Sequence, residues 1–192
     1  MGKQYQALDD ALIAFIGDQH MFFTASAAPG ARINVSPRST SAFRVLDPNT
    51  AVYLDRTGSG NETAAHLAAD GRLTIMFCAM EGAPRILRLY GRGEVVRKHS
   101  DAYNTILKTA FDGHEPPGAR QMIRLSFDLV QTSCGFGVPL FQYEGERDIL
   151  GPWAAKQGAE GIEAFQRKKN TRSLDDLPTY LFEPSPTEQA AE

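Results

Sequence analysis

The segment AVYLDRTGSGNET, residues 51–63, carries the strongest structural signal in this chain. Its first part, 51–55, mixes small, aromatic and β-branched residues in the way that strands do. Two glycines fall within the TGSG that follows, and a loop is favoured there because glycine loses much conformational freedom in regular structure. Asn61 or Ser59 can cap a short helix over 63–69. A strand, a glycine-rich loop and a helix in this order predict an anion site built from backbone N–H groups.

Further strands flank this segment. Short apolar or β-branched runs bounded by turn residues lie at 21–26, 32–36, 43–46, 72–78, 85–97 and 123–129. Pro37 is expected to end the second of these runs, and Gly91 and Gly93 predict a bulge within 85–97. Closing such a sheet removes exposed strand edges. The pattern therefore predicts a mainly β chain with peripheral helices, in which about six strands form a closed or nearly closed antiparallel barrel.

Three stretches have the apolar spacing of amphipathic helices: 4–19, 101–111 and about 153–169, the last broken near Gly158–Gly161. Ser100 is placed to cap the second. The length of 192 residues predicts a single domain over 1–182, with a helical C-terminal extension from about 151. Residues 183–192 hold two prolines and no periodic apolar pattern, so disorder is predicted there.

Composition narrows the class of protein. Hydrophobic residues make up 42% and charged residues 22%, as in ordinary globular proteins, and the formal net charge is −3. That charge gives no general attraction to nucleic acid or to an anionic membrane. No apolar run is long enough to span a bilayer, and Cys78 and Cys134 form neither a disulfide framework nor a metal-ligand set. We therefore expect a cytoplasmic protein that partners neither nucleic acid nor membrane and holds no metal.

The run NVSPR, residues 34–38, supplies the first candidate binding group. Asn34 and Ser36 add polar groups, and Arg38 lies just past a predicted strand end. Its planar guanidinium is suited to bind a phosphate through two parallel hydrogen bonds. The alternative is a solvated loop arginine, and residue type alone leaves both interpretations open.

The glycine-rich loop supplies the second group. Its backbone N–H groups, with a helix N-terminus beside them, can form an anion site. Polar side chains add donors at four positions: Thr57, Ser59, Asn61 and Thr63. The segment lacks the lysine of a Walker A sequence and the G-x-G-x-x-G spacing of a dinucleotide fingerprint. A plain turn that caps a helix is the alternative to a binding loop.

Three further residues have chemistry that the sequence leaves open. Arg88 stands between apolar neighbours in a predicted strand, so it either pairs with an acid or binds a ligand anion. Cys134 has no basic residue near it to activate the thiol, which favours a buried, inert cysteine. His66 follows the glycine-rich loop by one helical turn and has no partner at metal-ligand spacing. The four histidines are scattered, and no Ser/His/Asp arrangement is visible.

In the order of these pieces, the chain resembles the pyridoxamine 5'-phosphate oxidase-like, FMN-binding split-barrel proteins. The barrel motifs that carry the resemblance span residues 11–97. SCGFGVP at 133–139 and KNTRSLDDLP at 169–178 resemble sequences of an oxidase-related branch, distinct from the true oxidases. The resemblance implies a six-stranded antiparallel split β-barrel. It also implies a homodimer, with FMN held in clefts at the subunit interface.

The same resemblance implies which residues hold FMN. Arg38 matches the basic position after the early strand, Ser59 matches the loop serine, and Arg88 matches the arginine that precedes the motif glycine. The full set of expected cofactor-binding residues is Asn34, Ser36, Arg38, Thr57, Ser59, Asn61, Thr63 and Arg88.

Two positions depart from the family. Gly60 and Asn61 follow the loop serine where the true oxidases have an Arg-Lys pair. Ile86 stands in place of a glutamine that contacts the flavin in those enzymes. The C-terminal substrate-binding pattern of the oxidases is absent as well. Pyridoxamine 5'-phosphate oxidase activity itself is therefore not expected.

Three functions are compatible with this sequence. The leading hypothesis is an FMN-dependent oxidoreductase acting on an unknown small molecule. A flavin carries out the hydride or electron chemistry itself, so no side-chain acid or base is strictly required. One alternative keeps the fold but exchanges FMN for a deazaflavin or a haem, with His66 as the first candidate haem ligand. The other is a non-catalytic protein that binds a flavin.

Overall fold

The computed structural model describes residues 2–183. Its eight strands are β1 (Lys3–Tyr5), β2 (Met21–Ser26), β3 (Asn34–Ser39), β4 (Phe43–Asp47), β5 (Thr50–Arg56), β6 (Arg72–Cys78), β7 (Ile86–Arg97) and β8 (Ala119–Ser133). Its four α-helices are α1 (Asp10–Gly17), α2 (Glu62–Ala69), α3 (Asp101–Ala110) and α4 (Leu150–Lys169). A short 3₁₀ helix, Thr40–Ala42, joins β3 to β4.

The strands form one antiparallel sheet in the order β3-β2-β6-β7-β8-β5-β4, with β1 added beside β8. The long strands β7 and β8 lie at its centre, and their register shifts between Tyr90 and Gly91. This confirms the predicted bulge, which bends the strand and lets the sheet curl. The mainly β, antiparallel split-barrel class is also confirmed. The sheet has eight strands rather than about six, because the N-terminus contributes β1 and the predicted runs are all separate strands.

Two hydrophobic clusters pack on opposite faces of the curled sheet. The first fills its concave side, where the rings of Phe22, Phe43 and Phe77 lie with centroids 5.1–5.7 Å apart. The second lies under α3, around the buried side chains of Tyr103 and Met122. Strand β5 is buried on both faces, since its alternate residues belong to the two clusters. The loop that follows β5 therefore starts from a rigidly held strand end.

The predicted helix over 4–19 is wrong in its first part. Residues 3–5 pair with β8 as strand β1, and α1 begins only at Asp10. Asp9 sets this start, because its Oδ1 accepts a hydrogen bond of 2.8 Å from the Leu12 N–H, as an N-cap residue does. The apolar spacing over 4–19 thus falls partly on a strand and partly on a helix.

The prediction that Pro37 ends its strand is also wrong. Strand β3 runs through Pro37, which lies opposite Phe23 of β2. Because β3 is an edge strand, the missing N–H of a proline costs no ladder hydrogen bond there. Asn34, Ser36 and Arg38 therefore share one face of a continuous strand, instead of being divided between a strand and a loop.

The C-terminal part contains a long, interrupted helix. Helix α4 covers Leu150–Lys169 and is interrupted at Gly158, whose φ of 66° is left-handed. The predicted disordered tail, 183–192, lies outside the described residues except for Glu183. Within residues 2–183, no helix combines the length and apolar character that crossing a membrane requires.

Candidate functional site

A cavity of about 350 Å³ opens between strand β3, the glycine-rich loop and the first turn of α2. Its lining combines polar side chains, loop backbone and guanidinium groups: Asn34, Ser36, Pro37, Arg38, Arg56, Gly58, Ser59, Gly60, Asn61, Glu62, Thr63 and Arg120. Six of the eight residues predicted from the sequence therefore share one cavity. We call it the anion cavity.

Hydrogen bonds join the two walls of the anion cavity. The Asn34 side chain donates to Thr63 Oγ1 at 3.3 Å, and Ser36 Oγ donates to Asn34 Oδ1 at 3.3 Å. Strand β3 is thereby tied to the start of α2. The N-terminal N–H groups of this helix have no intrahelical acceptor, so the cavity lies where a helix favours an anion.

The side chains of Thr57 and Asn61 support the loop from behind. Thr57 is fully buried, and its N–H and hydroxyl both donate to the Gly118 carbonyl, at 2.7 and 2.9 Å. Asn61 is 2% exposed; its Oδ1 accepts from Gln121 at 2.8 Å and its Nδ2 donates to Asn170 O at 3.3 Å. These two side chains are engaged by protein groups, whereas Ser59 lines the cavity.

Asp55 lies beneath Arg38 and Arg120, two residues that line the anion cavity, and is only 1% exposed. Its carboxylate accepts from Arg38 Nη1 at 2.7 Å, from Arg120 Nε at 2.7 Å and from Gln121 Nε2 at 2.9 Å. Burial alone would raise the pKa of Asp55, but the two guanidinium charges and these hydrogen bonds lower it below its usual value. The carboxylate is thus ionised and fixes both arginines.

Arg38 retains unused donor capacity at the cavity. Its guanidinium lies 4.7 Å from the centroid of the Tyr53 ring, and its buried Nε has no hydrogen-bond partner among the described residues. Burial would lower the pKa of Arg38, yet Tyr53 and Asp55 raise it, so the group stays charged. The buried Tyr53 hydroxyl also lacks a partner within residues 2–183. Buried polar groups without a partner are rare in folded proteins, and these two lie together beside the anion cavity.

Sequence reasoning missed Arg120 and Arg56. Arg120 is 5% exposed, and its Nη1 donates to the Gly60 carbonyl at 2.9 Å while its Nε binds Asp55. Arg56 ends β5 and donates to the Pro117 carbonyl. The alternating pattern of the last strand could have indicated Arg120, but that strand was predicted to begin only at Ile123. Strand β8 begins four residues earlier, which brings Arg120 beside the loop.

Two predicted site residues do not line this cavity: Thr57, which lies behind the loop, and Arg88. Arg88 donates to Ser133 Oγ at 3.3 Å on the other face of the sheet from the buried Leu87 and Leu89. Its strand lies three places from β3 in the sheet, which is roughly 14 Å at the usual strand spacing. Arg88 can therefore reach a ligand in the anion cavity only if that ligand is long or a second chain supplies the residue.

A second cavity, of about 790 Å³, adjoins the first. The two share Pro37 and Arg38 on strand β3. Its far wall includes the stacked rings of His20 and Tyr143, which lie 3.7 Å apart and within 8° of parallel. Apolar side chains such as Phe15 line it between charged groups. We call it the large cavity.

The candidate nucleophile and haem ligand are not arranged for those roles. Cys134 is exposed rather than buried as predicted. Cys78 lines the large cavity, where burial raises the pKa of its thiol. His66 is 1% exposed and its Nδ1 lies 3.0 Å from Ser26 Oγ. The His66 ring is thus buried within the protein rather than exposed where a haem could approach it.

Comparison with known proteins now identifies the family. The family model described as pyridoxamine 5'-phosphate oxidase matches residues 8–134. The chain belongs to the pyridoxamine 5'-phosphate oxidase family. Its relatives include an Aspergillus flavus protein, the pyridoxamine 5'-phosphate oxidase family protein ustO, which is 38% identical over 190 residues that cover 91% of this chain and 76% of that protein.

Solved structures share the fold. HupZ of Group A Streptococcus superposes with a TM-score of 0.52 and 17% identity, covering 64% of this chain and 91% of HupZ. A Lactobacillus delbrueckii protein, provisionally described as a pyridoxamine 5'-phosphate oxidase, gives a TM-score of 0.51 and 17% identity over 66% of this chain and 94% of that one. At this identity the likeness concerns the split-barrel fold alone.

Proposed function

We propose that this chain is an FMN-binding flavoprotein whose anion cavity holds the FMN phosphate. The observation that carries the proposal is the Asp55-anchored pair of Arg38 and Arg120 beside the start of α2. Paired guanidinium groups and a helix N-terminus are both well suited to a phosphate dianion. Ser59 adds a hydroxyl donor, and the unpartnered Nε of Arg38 fits an acceptor that is supplied from outside the chain.

The cavity also accounts for the missing Arg-Lys pair of the loop. Gly60 and Asn61 occupy those positions, but Arg120 and Arg56 line the same cavity from β8 and β5. The only acids lining or underlying the cavity within residues 2–183 are Glu62 and Asp55. Glu62 accepts from the Leu174 N–H, and Asp55 is neutralised by its two arginines. The charge of the cavity therefore favours an anion.

The large cavity is suited to the flavin ring system and to a small substrate. It shares Pro37 and Arg38 with the anion cavity, and its apolar and aromatic lining fits a flat ring. When bound, FMN would supply hydride or electron transfer. The chain's own residues would bind the phosphate, orient the ring and exclude water. We therefore propose an oxidoreductase acting on a small molecule, in a cytoplasmic homodimer.

Absorbance spectroscopy of the purified protein tests the proposal. We expect flavin absorbance near one equivalent per subunit, either as purified or after incubation with FMN. Arg38→Ala should weaken FMN binding by about 1.5–3 kcal/mol, the usual contribution of a hydrogen bond to a charged group. Arg124→Ala is the matched control, because Arg124 pairs with the exposed Glu94 elsewhere on the sheet. Protein that stays colourless after incubation with FMN would contradict the proposed function.

A further inference from the structure

The C-terminal extension reaches back to the glycine-rich loop. Asn170, just past α4, is fully buried and donates from Nδ2 to the Gly58 carbonyl at 3.0 Å. One turn earlier, Gln166 donates from Nε2 to Thr57 Oγ1 at 2.7 Å. The Glu62 carboxylate accepts from the Leu174 N–H at 2.9 and 3.1 Å. Three consecutive parts of the extension thus hold the start, the middle and the end of one loop.

The bond to Gly58 fixes the direction of a peptide group. All described peptide bonds are trans, and in a trans peptide the C=O and N–H point in opposite directions. The Gly58 carbonyl faces Asn170, so the Ser59 N–H points away from the extension. No acceptor for this N–H lies among residues 2–183. It is therefore free for a ligand in the anion cavity.

The loop needs such a restraint because of its own composition. Gly58 and Gly60 permit many backbone conformations, so the peptide between Gly58 and Ser59 can rotate at little cost. Arg120 holds the Gly60 carbonyl in the same way, at 2.9 Å. Asn170 and Arg120 thus restrain the two glycine peptides from opposite sides of the loop.

We propose that Asn170 and Gln166 are positioning residues for phosphate binding. They hold the loop so that its N–H groups face the anion cavity, without contacting the ligand themselves. The C-terminal extension then contributes to the binding site, although it lies beyond the residues 8–134 that match the family model. This inference rests on the proposed function for the identity of the ligand, FMN.

The test compares the full-length chain with Asn170→Ala and Gln166→Leu. Arg167→Ala is the control, because Arg167 lies on the same helix and pairs with the exposed Glu163. Flavin fluorescence titration measures FMN affinity, and ¹⁵N relaxation of the flavin-free protein measures order parameters at Ser59 and Gly60. We expect Asn170→Ala to weaken FMN binding about five- to tenfold. The order parameters at the loop should fall from about 0.85 to below about 0.6, and those of α3 should not change.

The outcomes separate this inference from the proposed function. Wild-type protein that binds FMN, together with an Asn170→Ala variant of equal affinity and equal loop order, overturns the positioning role. Wild-type protein that binds no FMN overturns the proposed function, and the order parameters still decide whether Asn170 restrains the loop. If Asn170→Ala does not fold, Gln166→Leu provides the same comparison with Asn170 intact.

Discussion

Asp55 illustrates how one buried carboxylate can organise a binding site for anions. By itself it would repel a phosphate, but it lies beneath Arg38 and Arg120 and is neutralised by them. A charged hydrogen bond to each guanidinium limits its rotation before a ligand arrives, which reduces the entropy lost on binding. Each guanidinium has five N–H donors and uses only some of them in bonds within the protein, so both arginines keep donors for a ligand in the cavity.

The stability of the protein should depend on Asp55 with a definite pH dependence. The folded-state pKa lies below the unfolded value of about 3.9, so the carboxylate stabilises the fold above that pH. This stabilisation is lost as the pH falls through the folded-state pKa. Asp55→Asn should lower the free energy of unfolding at pH 7 by about 3–5 kcal/mol, because it leaves the buried Arg120 and the half-buried Arg38 without their counter-charge. Urea denaturation at pH 7 measures this difference.

The pH profile provides the control for this prediction. Below about pH 4 the wild type should lose stability faster than Asp55→Asn, since the variant has no carboxylate to protonate. Glu163→Gln, which removes an exposed partner of Arg167, should leave both the stability and its pH dependence close to wild type. Parallel pH profiles for Asp55→Asn and the wild type would contradict the assigned role.

At the residue level, the sequence predicted part of the cavity and not the carboxylate beneath its arginines. Arg38 and Ser59 were found because a polar group at a strand end and a glycine-rich loop are local signals. Asp55 and Arg120 are 65 residues apart and meet only because β5 pairs with β8. No spacing along the chain reveals that pairing, so the acid and the arginine that organise the site could not be identified before the fold.

At the level of elements, the sequence predicted strands with one buried face accurately. It was less accurate for the short N-terminal strand and for the end of the edge strand. Strands β2 and β6 have the predicted bounds, because alternation on a half-buried face is a strong local pattern. Strand β1 was read as helix, since three residues that pair with β8 carry no pattern of their own. The predicted end of strand β3 came too early. A proline is tolerated within an edge strand, and the sequence does not show which strand lies at the edge.

The bulge in β7 should be intolerant of any side chain at Gly91. A Cβ there would overlap the Ser126 carbonyl oxygen and lie 2.6 Å from Phe127 Cα, both on the backbone of β8. Backbone cannot move aside as a flexible side chain can, so Gly91→Ala should force the two central strands apart. We expect a loss of at least about 2 kcal/mol in the free energy of unfolding, within the range for strain and overpacking. Urea denaturation checks it.

Gly17→Ala is the matched substitution for Gly91→Ala. A Cβ at Gly17 meets no atom within 4 Å, and the residue lies in the last turn of α1. Alanine is the better helix former, so this change should leave the stability equal or slightly higher. A Gly91→Ala variant as stable as Gly17→Ala would show that β7 and β8 can separate at the bulge without cost.

On the scale of the whole molecule, strand β3 lines the anion cavity with one face and is exposed on the other. Asn34, Ser36 and Arg38 line the anion cavity, while Val35 is 60% exposed between them. Ile33, just before the strand, is 75% exposed. Across the sheet, Met76 of β6 lies between Phe23 of β2 and Arg88 of β7. An apolar row therefore leads from β3 towards Arg88. A second chain placed on this face would cover the row and could bring its own Arg88 near the cavity.

The proposed homodimer therefore predicts the effect of a charge at Val35. Stable interfaces bury about 800 Å² per partner, and Val35→Glu places a carboxylate in the exposed face that the proposed dimer would bury, so the dimer should dissociate to monomers. Light scattering coupled to size exclusion measures the mass. Leu46→Glu, at a 37% exposed position on β4 at the opposite edge of the sheet, should leave the mass unchanged. If Val35→Glu stays dimeric, the chains associate through another face, and a second chain does not bring its Arg88 to the cavity across this one. If it becomes monomeric and also loses FMN, the binding site needs both chains.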